Sequence, residues 1–279
     1  MQTIRRPAVA GSWYPGTASA LAVAVDRHLA ATSEDVDGEL VALVAPHAGL
    51  LYSGPVAAHA YRLLGGRTFD VAVLVGPSHF VGFDGVAVPG ADGFLSPFGV
   101  AAVDTALVEA MMRATPVVFE HKAAHAREHS LEMQLPFLQR LAPLTPIVPL
   151  VMGYQTDATA RALAGALAST LAGRRALVVA STDLSHYHDA ETAARLDGVV
   201  IDHVRRFDAD SLQHALDRQP DHACGGGPMV AVMRAARALG ARDAVVLNYA
   251  DSGDVSGDKM KVVGYMAAAL GNFRSSAGL

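Results

Sequence analysis

Three histidines in this chain each follow a short apolar run. His47 follows Val41-Ala-Leu-Val-Ala-Pro, His79 follows Val71-Ala-Val-Leu-Val-Gly-Pro-Ser, and His186 ends Ala176-Leu-Val-Val-Ala-Ser-Thr-Asp-Leu-Ser-His. Continuous apolar runs of this length suit parallel strands buried on both faces. Functional groups of open α/β sheets collect beyond the carboxyl ends of such strands. Imidazole at three strand ends is chemistry for a metal or for proton transfer, since neutral imidazole is the commonest protein metal ligand. His186 shares its loop with Asp183 and His188, so it reads as a third ligand or as a general base oriented by the carboxylate. His188 reads as solvated.

Cys224, the single cysteine, stands in His222-Ala-Cys-Gly-Gly-Gly-Pro-Met229 just before a predicted helix. A helix N-terminus favours thiolate, the ligand form. The three glycines admit close backbone approach or a nest for an anion. His125-Ala-Arg-Glu-His129 matches the inverted zinc-peptidase pattern, with Glu128 as base. Pro136 interrupts any long helix through that stretch, and no third ligand follows at a recognisable spacing, so the match carries little. His129 and Glu132, three apart, share a helical face and are placed on the wall of a site. The Asn248–Lys259 stretch has calcium-loop residues at the wrong spacing and reads as a turn or substrate loop. His28, His203 and His214 are expected on helix surfaces, and His59 in packing.

The elements that must position these groups follow from periodicity. Strands are expected over residues 40–45, 69–75, 83–89, 147–152, 176–181, 244–249 and 262–268. Helices are expected over 18–31, 54–64, 101–112, 129–141, 158–171, 191–207, 209–216 and 228–239. Strands alternating with helices predict one α/β domain over residues 1–279, a three-layer α/β/α arrangement around a mainly parallel, mixed sheet.

Composition narrows the function. The 279 residues are 51% hydrophobic and 18% charged, enough for a large core. A net charge of −5 and a pI near 6.2 give no electrostatic case for nucleic acid. No apolar stretch reaches the roughly 18 residues of a membrane span. The opening Met1-Gln-Thr-Ile-Arg-Arg-Pro7 has no apolar run behind its basic residues, so no secretory signal is expected. One cysteine fits a reducing compartment, and the expected location is the cytoplasm.

These residues lead to a family. The chain resembles the Memo family, whose prokaryotic members are often named AmmeMemoRadiSam system protein B. The resemblance rests on Arg6-Pro-Ala-Val-Ala-Gly-Ser-Trp-Tyr-Pro15, Ala45-Pro-His-Ala-Gly49 with Tyr52-Ser-Gly54, and Gly76-Pro-Ser-His79. It continues through Glu128-His-Ser-Leu-Glu-Met-Gln-Leu-Pro136, Ser181-Thr-Asp-Leu-Ser-His186, Cys224-Gly and residues 248–259. It implies a fold like that of the class III extradiol dioxygenases, which are non-haem iron(II) enzymes. It implies a metal site of His47, His79 and Cys224, with His186 nearby. The cysteine stands where the dioxygenases have a carboxylate. Thiolate is softer and favours copper(I), zinc or iron of altered redox behaviour.

The leading expectation is a redox, dioxygenase-like enzyme with iron(II), or else copper or zinc, acting on a small substrate. His186, Asp183, His129 and Glu132 would serve the reaction. A non-catalytic module binding a phosphopeptide or other anion is the alternative, since the resemblance extends to proteins linked to phosphopeptide recognition. A metal-dependent hydrolase is the third. The family name also implies a functional link to radical-SAM and AMMECR1-type proteins.

Overall fold

The computed structural model describes residues 2–33 and 36–274. Residues 1, 34–35 and 275–279 of the expected 1–279 span lie outside the described residues. The strands are β1 (Ile4–Arg5), β2 (Gly38–Ala45), β3 (Val71–Pro77), β4 (Val86–Val88), β5 (Gly93–Ser96) and β6 (Gly99–Ala102). They continue with β7 (Val118–Glu120), β8 (Ile147–Met152), β9 (Ala176–Ser181), β10 (His186–His188), β11 (Asp243–Asp251) and β12 (Val262–Phe273). The helices are α1 (Ala18–Ala30), α2 (Leu50–Arg62), α3 (Thr105–Ala114), α4 (Lys122–Ala126) and α5 (Leu135–Leu141). After them come α6 (Asp157–Leu171), α7 (Ala190–Arg205), α8 (Ala209–Arg218), α9 (Gly226–Ala238) and α10 (Gly253–Ser256).

The main sheet runs β10-β12-β2-β9-β3-β8-β4-β7, with β11 also paired to β12. Its centre, β2-β9-β3-β8, is parallel. On one side β12 runs antiparallel to β2, β10 and β11, and on the other β4 runs antiparallel to β8. The sheet is therefore mixed. The short connection from β11 to β12 is too brief for a crossover and turns the chain back on itself. A smaller sheet, β1-β5-β6, stands apart from it.

Side-chain alternation divides the interior into two cores. Val44, Val73, Val75, Val148, Leu150 and Val178 face α3, α6, α7, α8 and α9. Leu43, Leu74, Ile147, Val151, Leu177 and Val179 face α1, α2 and α5. The result is three layers, α/β/α, with the central strands buried on both faces. That is why β2, β3 and β9 read as unbroken apolar runs rather than alternating ones. Each buried Val or Leu contributes about 1.5–3 kcal/mol. Among the described residues, no helix is long and apolar enough to cross a membrane.

Two expected helices differ. Residues 129–141 are not one helix: a 3-10 turn at Glu132–Gln134 leads into α5. Pro136 stands in the first turn of α5, where its missing N–H costs nothing, and so it begins a helix rather than interrupting one. Residues 101–112 begin in β6, and α3 starts only at Thr105, capped by Asp104 accepting from Leu107 N at 2.9 Å. The H-x-x-E-H stretch is not a helical face either. The helix α4 ends at Ala126, and buried His125 turns its Nε2 to Ala87 O at 2.9 Å.

Candidate metal centre

The adjacent parallel strands β2, β9 and β3 end at one edge of the sheet, so the loops carrying His47, Asp183 and His79 emerge side by side. The helix α9 packs across the same strands and delivers Cys224 just ahead of its first turn. The ligand atoms of His47, His79 and Cys224 all lie within 4.8 Å of one another. Cys224 Sγ is 3.3 Å from His47 Nε2, and the His47 and His79 rings meet edge to face at 5.1 Å. His129 stacks on His79 at 4.5 Å. Bonds of about 2.0–2.1 Å to nitrogen and 2.3 Å to sulfur set tetrahedral donors about 3.5 Å apart. The His47–Cys224 separation fits that value.

The outer nitrogens are already committed. His79 Nδ1 lies 2.9 Å from Glu128 Oε1, and an ionised carboxylate only accepts, so Nδ1 carries the proton. His186 Nδ1 lies 2.8 Å from Leu184 O, and the same reasoning holds. In the neutral form of either ring this leaves the lone pair on Nε2, the arrangement that partners of metal-binding histidines impose.

Burial would raise the Glu128 carboxyl. The His79 ring and the amides of His79 and Ser130 outweigh it and bring it down to about 2. A carboxylate lowered from 4.5 to about 2 contributes about 3 kcal/mol, present in full above pH 4.5 and lost as pH falls towards 2. Glu128→Gln should therefore lower stability at neutral pH and flatten the acid limb of an unfolding-against-pH curve. An unchanged acid limb would refute the assignment.

The Cys224 thiol departs from expectation. Burial pushes it up, and the Asp183 carboxylate adds to that, so the helix N-terminus does not prevail. The glycine turn also differs from an anion nest, because its amides are spoken for. Cys224 N donates to Asp183 O, Gly225 N to Thr182 Oγ1, Gly226 N to Ala223 O and Gly227 N to Gln155 Oε1. The glycines serve close packing instead. A Cβ on Gly225 would stand 2.4 Å from Ser181 O and 2.8 Å from Thr182 Cβ, both on the β9 exit. Gly225→Ala should displace the start of α9 with Cys224, costing about 1–3 kcal/mol. Thermal unfolding and metal uptake, read together, check this; an alanine variant that matches wild type in both would refute it.

A cleft of about 810 Å³ opens beside the cluster, lined by Trp13, His47, His79, His129, Asp183, His186, Tyr187, His188, Asp221 and Cys224 among others. Burial and the neighbouring His47 and His79 rings bring His129 down to about 4, so it is neutral at physiological pH. Asp183 does not orient His186 by a hydrogen bond. Its Oδ1 accepts from His47 N at 2.7 Å and Ala48 N at 3.3 Å, fixing the β2 exit. Burial pushes this carboxyl up despite those amides.

Glu132 is not on the cleft wall. It is fully buried and gathers Arg5, Ala8 N, Val9 N and Tyr14 OH, all from the N-terminal segment. His188 lines the cleft rather than standing free in solvent, and His28 is buried against Gly54. His59 Nε2 meets Asn248 Nδ2 at 3.0 Å, in packing. Trp13, which stands in the Arg6–Pro15 motif, and Tyr187 also line the cleft, though neither was named as a site residue from sequence. Trp13 arrives from the far end of the chain, and Tyr187 through a left-handed backbone, φ 65°, beside a register shift in β10.

Fold and cleft together define a three-layer α/β protein with a histidine–cysteine donor cluster at its strand ends. The sequence comparisons agree on its kin. A family model described as Memo-like protein matches residues 5–269. A MEMO1 family protein of Methanosarcina mazei is 39% identical over 267 residues, 95% of this chain and 98% of its own. Others from Methanothermobacter thermautotrophicus and Methanocaldococcus jannaschii are each 36% identical, covering 94% and 97% of this chain and 98% and 100% of theirs. The chain belongs to the Memo family.

Proposed function

We propose that this Memo-family protein is a metal-dependent redox enzyme, of dioxygenase-like type, acting on a small substrate held in the cleft. His47 Nε2, His79 Nε2 and Cys224 Sγ would hold iron(II), or else copper. The observation that carries the reading is the convergence of these three side chains on the wall of a cleft. Bound there, such a metal supplies Lewis-acid and one-electron chemistry.

The chain's own groups complete the site. His186, with Nδ1–H given to Leu184 O, offers Nε2 to take a proton from a substrate hydroxyl. The Trp13 ring and the neutral His129 ring, 4.3 Å apart, form an aromatic wall for a flat substrate. An anionic ligand is served less well, because among the described residues the lining includes no lysine or arginine, and the amides at the start of α9 are committed. Hydrolysis with Glu128 as base is also less well supported, since that carboxylate is held by His79 and three amides.

The test is elemental analysis of anaerobically purified protein, followed by oxygen consumption with a panel of phenols. About one iron or copper per chain, with uptake that falls in His186→Gln while metal content holds, supports the proposal. Absence of metal even after anaerobic loading would overturn it.

A further inference from the structure

Glu128 fixes the His79 tautomer, but among the described residues no carboxylate hydrogen-bonds the His47 ring; Asp183 holds only its backbone N–H. Its Nδ1 lies 2.9 Å from Ser181 Oγ, and a hydroxyl can either give or receive there. The proton ledger around that hydroxyl decides. Gln134 Nε2 is 3.1 Å from Pro46 O and 2.7 Å from Ser181 Oγ. Pro46 O only accepts, so the amide must present its NH₂ on this side, and its Oε1 then faces Tyr61 OH at 2.9 Å. Tyr61 is fully buried and stacked on Phe137, so its single hydrogen goes to Gln134 Oε1. Ser181 Oγ receives one hydrogen from Gln134 and gives its own to Ser130 O at 2.7 Å. Its remaining capacity is one lone pair. His47 Nδ1 must therefore donate, which leaves the Nε2 lone pair facing Cys224 Sγ at 3.3 Å.

We propose that Tyr61, Gln134 and Ser181 form a relay of positioning residues that holds His47 as the Nδ1–H tautomer, with Nε2 ready to bind a metal. As a ligand-positioning device it rests on the metal reading above; as a tautomer lock it stands on hydrogen bonds alone. The relay spans three elements: α2 supplies Tyr61, the 3-10 turn supplies Gln134 and the end of β9 supplies Ser181. Gln134 also grips the carbonyl just before His47, so one side chain sets both the path of the β2 exit and the polarity of its ligand. All three residues are at most 0% exposed, which keeps competing water from the chain of donors.

The experiment uses full-length protein, metal-free and then titrated with zinc(II). Imidazole ¹⁵N spectra of metal-free wild type should show His47 protonated at Nδ1. Ser181→Ala and Gln134→Met should each give mixed tautomers at His47, leave His79 unchanged, and weaken zinc by about 10–100-fold. Ser181→Thr, which keeps the hydroxyl, should restore both readouts. Wild-type tautomer in Ser181→Ala and Gln134→Met would overturn the relay even if stability falls. A variant too unstable to study leaves the decision to wild type, where Nε2–H at His47 would overturn it. Normal tautomer with no zinc uptake by wild type would overturn the metal reading, and with it the relay's ligand role.

Discussion

Cys224→Ser and His47→Ala should each weaken metal binding by more than about 100-fold, beyond the 10–100-fold expected for losing an outer partner. The fold should persist. Cys224 lies on a loop and is half-buried, and its Sγ meets His47 Nε2 and the Asp183 backbone. Serine keeps the size but offers a hard, poorly ionised oxygen in place of a soft sulfur. His47→Ala removes the imidazole and leaves the Ser181 hydroxyl with Gln134 as its remaining donor. The pH dependence has a definite sign. Burial and Asp183 raise the thiol above its ordinary value, so the metal-free protein carries a thiol proton at neutral pH. Binding must release it, and affinity should rise by about tenfold per pH unit for that one proton. Elemental analysis, then competition titration between pH 6 and pH 8, checks both statements. Wild-type metal content in either variant would remove that residue from the ligand set. A pH-independent affinity would mean that the thiol is not displaced of its proton on binding.

Glu132→Ala should destabilise the protein by about 3–5 kcal/mol, the usual cost of leaving one member of a buried ion pair uncompensated. It strands the Arg5 guanidinium together with Ala8 N, Val9 N and Tyr14 OH. Those groups tie down the segment that carries Trp13, whose ring packs 4.3 Å from His129 at the cleft. Since Trp13 is the chain's single tryptophan, its emission reports the segment directly. Urea unfolding should show a lower midpoint, and iodide should quench Trp13 more readily in the variant. Combining Glu132→Ala with Arg5→Met should recover part of the loss, because no charge is then left alone. Unchanged stability with lost turnover would instead make Glu132 a participant in the chemistry.

The same two predictions mark the boundary between local and tertiary information. The strands β8 and β9 match their expected limits, because an unbroken apolar run bounded by polar or glycine residues has one reading in a sheet covered on both faces. The strand-end histidines and the cysteine before a glycine turn were visible for the same reason: loop composition marks where a strand stops. A mainly parallel, mixed sheet was expected, but the order of its strands was not legible, since pairing is a contact between segments distant in sequence. Nor was the work of Glu132. Its spacing from His129 placed it on a helical face, but the turn there is 3-10, and its partners come from residues 5–14.

The sequence by itself determined the α/β class, the family and the residues His47, His79 and Cys224 as candidates, because these depend on residue type and near neighbours along the chain. Only the tertiary structure decided which proton sits on which nitrogen. His47, His79 and His186 look alike in sequence, yet one is held by a serine relay, one by a carboxylate and one by its own loop carbonyl. The thiol's state is tertiary too. A helix N-terminus argues for thiolate, while burial beside Asp183 argues for the protonated form, and burial is the larger effect.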